Sequence, residues 1–195
     1  MNTPAHLAAS LFVWRKETHK GAAQALSLGA ILPDASMFGF YFFQKVVAGR
    51  GEHEIWSELY FDEAWQLFFD LFNSIPIALT VLAFAHFKEY RVLKLVALSV
   101  LLHLFLDLPL HHDDAHRHFL PVSHWRFESP VSYWDPKHHG LVFSVFELVL
   151  ALFASIFLAW KAPVMKGIKT AAKINLTIYF AFFVFVLTVW LPNLL

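Results

Sequence analysis

The chain of 195 residues contains no cysteine, which excludes disulfide bonds, thiolate metal ligands and a cysteine nucleophile. Charged side chains are also scarce: they make up 15% of the residues and sum to a formal net charge of zero. A neutral protein has no overall field that attracts nucleic acid, so we expect no nucleic-acid partner. Hydrophobic residues, in contrast, make up 58% of the chain and include 22 Phe and 7 Trp. This balance is typical of a protein whose main partner is a lipid bilayer.

Long apolar segments predict several membrane-spanning helices, since about 20 apolar residues are needed to cross a hydrocarbon core of about 30 Å. Four segments reach this length: Ala64–Phe87, Val92–Leu110, Leu141–Trp160 and Ile174–Leu191. Two shorter runs, Ala5–Trp14 and Gly21–Pro33, predict an N-terminal helical pair that forms a hairpin, tilted spans or re-entrant segments. A third run, Met37–Ala48, is rich in aromatic residues and is expected at the membrane interface. We therefore predict an all-α, polytopic membrane helix bundle, folded as a single integral membrane domain over residues 1–195.

Positive charge is concentrated in three short connecting segments. Residues 15–20, 88–94 and 161–173 together hold ten of the fifteen Lys and Arg but only two of the fifteen acids. Short loops rich in Lys and Arg remain on the cytoplasmic side of a membrane. The charge pattern therefore predicts that residues 35–63 and 111–140 lie on the opposite, outer side.

Polar side chains of the spans fall towards this outer side, where they predict a functional site. An ionised group near the bilayer centre costs at least about 2.5–3.5 kcal/mol and is rarely kept without a role. His103 and Asp107 are four residues apart and share one helix face. Pro109 disturbs the end of that helix, so the chain can turn and bring His111 or His112 back over Asp107.

Imidazole and carboxylate groups are the ligands of zinc, and also of iron and manganese, so this grouping predicts a divalent metal, with zinc favoured. The predicted ligands are His6, Asp34, His103, Asp107, His111 and His112. A second group could contribute outer ligands, orient the imidazoles or face a water-filled crevice. Its members are Asp70, Asn73, Asp113, Asp114, His116, His138, His139 and Glu147. Taken alone, a pair such as His103 and Asp107 is more often a simple hydrogen-bonded pair, and the metal hypothesis depends on the whole group.

The segment 111–140 is predicted to be an outer loop, rich in His, Asp and aromatic residues, that lies over this site. Between residues 119 and 136 it contains five aromatic side chains and three prolines. Aromatic residues of this kind lie at membrane interfaces. They either admit a lipid or another amphipathic substrate to the site or only anchor the loop.

Three motifs resemble those of the membrane-bound metal-dependent hydrolases of bacterial inner membranes, which are distantly similar to the zinc-dependent phospholipases C. They are ThrProAlaHisLeu at 3–7, GlyAlaIleLeuProAsp at 29–34 and HisLeuPheLeuAsp at 103–107. The resemblance implies that His6, Asp34, His103 and Asp107 are metal-site residues and that Asp34 is also the catalytic general base. It further implies the inner membrane of a bacterium, and the charge pattern then predicts that the site lies on the periplasmic side. A His-Arg-Gly-x-Thr-His-Ser motif of the relatives is replaced here by AspLeuPheAsnSer at 70–74, which lacks both histidines.

Three functions remain open from the sequence. The first is a metal-dependent hydrolase that acts at the outer face on an ester or phosphodiester, with lipids among the candidate substrates. The second is a non-catalytic membrane protein that binds or handles a metal ion, for which we expect polar residues through the bundle if the ion is transported. The third is a membrane di-iron enzyme, suggested by the HxxxH spacing of His112 and His116.

Overall fold

The computed structural model describes residues 1–190, and within that range the chain forms helices and loops without strands. The helices are α1 (Thr3–Val13), α2 (Ala22–Phe42), α3 (Glu52–Ser57), α4 (Glu63–Phe72), α5 (Ile75–Phe87), α6 (Arg91–Asp107), α7 (Gly140–Ile156) and α8 (Lys166–Phe185). Three of them continue into wider π-helical turns, at Phe43–Val47 after α2, Phe157–Lys161 after α7 and Val186–Trp190 after α8. Short 3-10 turns occupy Leu59–Phe61 and Pro136–His138.

Four helical segments are long and apolar enough to cross a membrane. They are Ala22–Val47, Glu63–Phe87, Gly140–Lys161 and Lys166–Thr188. The prediction of an all-α membrane bundle is therefore confirmed. The predicted span Val92–Leu110 corresponds to the shorter α6, of 17 residues, which is not among these four, whereas Ala22–Val47 is. The predicted last span ended at Leu191, which lies outside the described residues, and the helix begins eight residues earlier than predicted because Lys166–Lys173 is also helical.

The second helix is longer than the sequence suggested. The runs Gly21–Pro33 and Met37–Ala48 belong to one helical segment that continues through Pro33. Proline lacks the N–H of a helical hydrogen bond and often ends a helix, but neighbouring helices can keep an apolar helix continuous at this residue. Here Pro33 is buried, and the Ser36 hydroxyl donates a hydrogen bond of 2.9 Å to its carbonyl oxygen. As a result Asp34 lies in the middle of α2 and not in a loop after it.

The predicted span Ala64–Phe87 is divided into α4 and α5. The side-chain amide of Asn73 donates a hydrogen bond of 3.0 Å to the carbonyl oxygen of Phe69 at the end of α4. Ser74 then begins α5, because its hydroxyl accepts a hydrogen bond from the Ile77 N–H at 3.2 Å. The interruption frees backbone groups for the outer loop: the Ile75 N–H donates to the carbonyl oxygen of His118 at 2.8 Å.

The packing of α2 against α6 places the site. A Cβ atom on Gly29 would lie 2.3 Å from the carbonyl oxygen of Val96 and 2.6 Å from Cβ of Ser99, so only glycine permits this approach of the two backbones. Small residues at such contacts are common in membrane helices. The contact is extended by the Ser99 hydroxyl, which donates to the carbonyl oxygen of Leu26 at 2.7 Å and lies 2.7 Å from the hydroxyl of Ser10 in α1.

The three basic segments lie at one end of the bundle. Arg91, at the start of α6, forms an ion pair of 2.8 Å with Glu17, in the loop after α1. Ala162 and Ile168, around the α7–α8 connection, belong to the same buried cluster as Ala22. The loop between α6 and α7, which contains the predicted outer loop up to His139, covers the opposite end of α6. The basic segments and this loop therefore lie at opposite ends of the bundle, as the charge pattern predicted.

Candidate metal centre

Three potential metal ligands from distant parts of the sequence meet inside the bundle. His6 comes from the first turn of α1, and His103 and Asp107 lie one turn apart on α6. All three are buried, with at most 3% of their surface exposed. One nitrogen or oxygen atom from each lies within 4.8 Å of the others. Zinc binds nitrogen and oxygen ligands at about 2.0–2.2 Å, so donor atoms at this mutual distance can share one ion.

The orientation of His103 leaves a nitrogen facing two carboxylates. Its Nδ1 lies 2.8 Å from the carbonyl oxygen of Ala30, which can only accept, so Nδ1 carries the proton. The other nitrogen, Nε2, lies 2.9 Å from Oδ2 of Asp107 and 3.6 Å from Oδ1 of Asp34. Within residues 1–190 this Nε2 nevertheless makes no well-aligned hydrogen bond. In a neutral ring Nε2 presents a lone pair to these oxygens, an arrangement that a bound cation stabilises.

His6 completes the pair of imidazoles. Its ring stacks on that of His103, with the centroids 3.5 Å apart and the planes inclined by 8°. Its Nε2 lies 2.9 Å from Oδ1 of Asp107, so both carboxylate oxygens of Asp107 have a ring nitrogen beside them. The same Oδ1 also accepts a hydrogen bond from the amino group of Met1. Two positively charged rings would repel each other at this distance. At most one ring can readily carry a proton, and a metal shared by both nitrogens relieves the conflict.

His111 approaches Asp107 from the outer loop. Its Nε2 lies 3.4 Å from Oδ1 of Asp107, and its Nδ1 lies 2.8 Å from Oδ2 of Asp114. Asp114 also accepts a hydrogen bond of 3.0 Å from the indole N–H of Trp134. Burial by itself would lower the pKa of His111, but the charge of Asp107 and hydrogen bonds to Asp107 and Asp114 outweigh it and raise the pKa to about 9. Asp114 thus orients an imidazole towards the cluster.

Asp34 lies at the edge of the cluster. The Thr3 hydroxyl donates to its Oδ2 at 2.5 Å, which leaves Oδ1 directed towards His103. The side chain is 17% exposed, in contrast to the almost fully buried ligands. It also lines the cavity that adjoins the cluster. Asp34 is therefore placed either to complete the metal coordination or to accept a proton from water.

A small cavity joins these groups to the underside of the outer loop. Its volume is about 40 Å³. At about 10–15 Å³ for each water, the cavity has room for two or three water molecules beside an ion. The polar lining residues are Asp34, Ser36, Tyr60, Asn73, Asp107, His111, Asp114, His116 and Tyr133. The cavity thus brings together members of both predicted groups, but in this conformation its volume is too small for a lipid.

Asp70 belongs to an ion-pair network that fastens the outer loop to α4. Its Oδ1 accepts the backbone N–H of Arg117 at 3.0 Å and lies 3.3 Å from Nδ1 of His116, and its Oδ2 accepts the Arg117 side chain. The same guanidinium donates to Glu63 at 2.6 Å. Charged groups that satisfy one another in this way hold the loop in place. Arg117 did not stand out in the sequence, where only its position among acids and histidines distinguishes it.

His112 and the histidines near the start of α7 form a separate group. Nδ1 of His112 lies 2.7 Å from the carbonyl oxygen of Ser129, and its ring stacks on His138 at 3.7 Å. His138 in turn lies 2.6 Å from Asp135. Of the neighbours His111 and His112, only His111 is turned towards Asp107. His139 and Asp113 are exposed.

Asn73 and Glu147 also have structural partners. The carbonyl oxygen of Asn73 lies 2.9 Å from Nδ1 of His118, which attaches the loop to the α4–α5 junction. Glu147 is buried in α7, and its Oε1 accepts the N–H of Asn2 at 3.0 Å, at the beginning of α1. It therefore helps to fix the helix that presents His6. Two further contacts orient the central side chains, those of Ala30 with His103 and of Thr3 with Asp34. Thr3 and Ala30 lie within the motifs at 3–7 and 29–34, but nothing in the sequence indicated these roles.

No protein-family model matches this chain, and neither a curated protein nor a solved structure matches it significantly. The resemblance to the membrane-bound hydrolases therefore stays a prediction. The structure itself defines a membrane helix bundle with a buried His–His–Asp group that could hold a metal ion.

Proposed function

We propose that this chain is a membrane-embedded, metal-dependent hydrolase of the bacterial inner membrane that acts on an ester or phosphodiester, in particular of a lipid, at the periplasmic face. The observation that supports it most is the approach of His6, His103 and Asp107 to a common point. Two stacked imidazoles beside one carboxylate form a site that a divalent ion, and zinc above others, fits by ligand type and spacing. Zinc supplies a Lewis acid that polarises a phosphoryl or carbonyl oxygen and makes water more acidic.

The chain's own residues have separate roles in this proposal. His6, His103 and Asp107 would hold the ion. His111, oriented by Asp114, would add a further nitrogen only after losing a proton, because its pKa is raised to about 9. Asp34 would accept the proton of a water molecule in the cavity as the water oxygen bonds to the carbonyl carbon or phosphorus. The bond to the alcohol oxygen then breaks, and the proton held by Asp34 passes to the departing alcohol. The outer loop excludes bulk water and has to move for a substrate to enter, since the cavity holds about 40 Å³.

The membrane orientation is part of the proposal. It rests on the basic segments, which lie at the end of the bundle opposite Asp107 and are expected in the cytoplasm. The site then faces the periplasm.

The first test is the metal content of the detergent-purified protein, measured by inductively coupled plasma mass spectrometry. We expect bound zinc in the native chain and its loss, by tenfold or more, in His103→Ala and Asp107→Ala. His112→Ala is the matched control, since this histidine contacts Ser129 and not the cluster. Equal metal content in all of these proteins would contradict the proposed centre.

A second candidate, a metal-binding protein without catalysis, is favoured by two observations. The cavity is small, and AspLeuPheAsnSer at 70–74 supplies an ion pair for Arg117 where the relatives have histidines. Hydrolysis of chromogenic esters and phosphodiesters separates the candidates: turnover that a chelator abolishes and zinc restores supports the hydrolase, and bound metal without turnover supports the alternative.

A di-iron enzyme is disfavoured because His112 and His116 have different partners, Ser129 and Asp70.

A further inference from the structure

The basic end of the bundle contains a cavity that the proposed function does not use. It lies between the loop after α1, the end of α5 and the start of α6, and has a volume of about 640 Å³. Its lining includes polar and basic side chains, among them His86, Arg91 and Lys94, and apolar ones, among them Trp14 and Leu98. This combination suits a ligand with an anionic head and an apolar tail.

The cavity contains groups that can bind an anion. Lys94 is half-buried, and its ammonium donates a hydrogen bond to Nδ1 of His86 over 3.4 Å. Arg91 uses one nitrogen for Glu17, while 58% of its side chain remains exposed, so the guanidinium has further donors to offer. α6 begins at Arg91, and the N-terminus of a helix favours negative charge.

Two carboxylates also line the cavity, Glu17 and Glu89. Glu17 is neutralised by Arg91 and accepts the backbone N–H groups of Thr18 and His19, each at 2.9 Å. Within the lining itself, Arg91 and Lys94 balance these two acids. The surplus of positive charge comes from the three connecting segments at this end of the bundle, which hold ten basic residues and two acids in total.

An apolar groove continues from this cavity along the outside of α5 and α6. It has a volume of about 400 Å³ and shares Trp14 and Leu98 with the basic cavity. The remaining lining is Ile75, Leu101, Leu102, Phe105 and Leu108. From Leu98 to Leu108 a helix rises about 15 Å, at 1.5 Å for each residue. A groove of this length can accommodate much of one extended acyl chain.

We propose that this cavity and groove form a binding site for an anionic phospholipid of the surrounding leaflet. The phosphate lies between Lys94, His86 and Arg91, and one acyl chain follows α6 past Leu98. Basic pockets between membrane helices on the cytoplasmic side bind anionic lipid headgroups in this manner. The headgroup lies at the opposite end of α6 from Asp107, so the lipid is held there and is not the molecule cleaved at the metal centre. The site stands independently of the metal.

The test uses the full chain in a neutral detergent, with phosphatidylglycerol and phosphatidylcholine of the same acyl composition as probes. Native mass spectrometry counts bound lipid, and thermal unfolding measures its effect. We expect phosphatidylglycerol to bind preferentially, by fivefold or more, and to raise the melting temperature by several degrees. Lys94→Gln removes the charge and Leu98→Trp fills the junction, and each should reduce the preference to twofold or less. Lys88→Gln is the matched control, because Lys88 lies in the same connection but outside the lining.

Equal binding of both lipids by the native chain would overturn the proposal. So would a preference that survives in both Lys94→Gln and Leu98→Trp, or one that Lys88→Gln reduces as much as Lys94→Gln does. Inorganic phosphate and glycerol phosphate are tested separately. If either stabilises the protein as strongly as phosphatidylglycerol, the site binds a soluble anion and the lipid assignment is wrong.

Discussion

Asp107 is the residue on which the proposed centre depends, because ring nitrogens of three histidines approach its carboxylate. His6 and His103 lie at 2.9 Å and His111 at 3.4 Å. Asp34 differs in that a hydroxyl group from Thr3 holds one of its oxygens while the other faces the cluster. Two carboxylates in one site, in different surroundings, can take different roles.

The division of roles between these carboxylates leads to a prediction for Asp34→Asn. If Asp34 is the general base, the variant should keep at least half of the native metal content but lose hydrolytic activity by about 10²–10⁴-fold, the usual contribution of general acid–base catalysis. Metal analysis and the turnover of a chromogenic substrate on the same preparation check this. Loss of metal together with activity would instead make Asp34 a ligand.

His118 predicts a pH dependence of stability. Burial lowers its pKa from 6.5 to about 4, against a smaller opposing effect from its hydrogen bond to Asn73. The folded state therefore disfavours protonation of His118. The neutral imidazole contributes fully to the free energy of unfolding above pH 6.5, and this contribution is lost as the pH falls towards and through 4. At 1.36 kcal/mol for each pKa unit, it amounts to about 3 kcal/mol.

The measurement compares the native chain with His118→Gln by thermal or urea unfolding between pH 7.5 and 4.5. The native chain should lose about 2–3 kcal/mol more than the variant over this range. Parallel pH profiles would show that His118 does not contribute through its titration.

At the scale of the helices, the contact of α2 with α6 sets the geometry of the site. Gly29 allows the close approach, and the next residue, Ala30, accepts the hydrogen bond that orients His103. We predict that Gly29→Ala forces the two helices apart, destabilises the protein by about 1–3 kcal/mol and reduces metal binding. Thermal unfolding and metal analysis check this prediction. Gly39→Ala, at a helical glycine with open space around it, is the matched control and should leave both quantities close to native.

The ion pairs of Arg117 with Asp70 and Glu63 hold the outer loop on α4, so we expect the protein to be less stable without them. Arg117→Met leaves Asp70, which is fully buried, without its main partner, and should cost about 3–5 kcal/mol. Arg126→Met, which removes only a hydrogen bond of 3.4 Å to Gln66, should cost less than 1 kcal/mol. Limited proteolysis of the loop and urea unfolding are the measurements. Equal stability of the two variants would show that the network does not hold the loop.

At the scale of the whole molecule, the absence of cysteine makes the membrane orientation directly testable. A cysteine introduced at exposed Lys20 or Lys88 should be protected from a membrane-impermeant maleimide on intact spheroplasts, and one at exposed Trp125 should react. The expected difference is tenfold or more in labelling, and permeabilised cells provide the control for reactivity. The reverse pattern would place the metal centre on the cytoplasmic side.

The sequence alone indicated the membrane class, most of the helices and the side chains of the centre. Apolar length predicts spans because the bilayer core excludes unpaired backbone groups, and the four-residue spacing of His103 and Asp107 follows from helix geometry. Both are local properties of the chain. The continuation of α2 through Pro33 was not indicated, because it depends on burial by other helices.

Only the tertiary structure decided which histidines join Asp107. His111 and His112 are equivalent in sequence, and the turn after α6 directs the first to Asp107 and the second to Ser129. Similarly, the sequence made Asp70 a candidate ligand, but in the structure it pairs with Arg117, 47 residues away. The environment of an ionisable group comes from residues distant in the chain, and its role is fixed only when the helices pack.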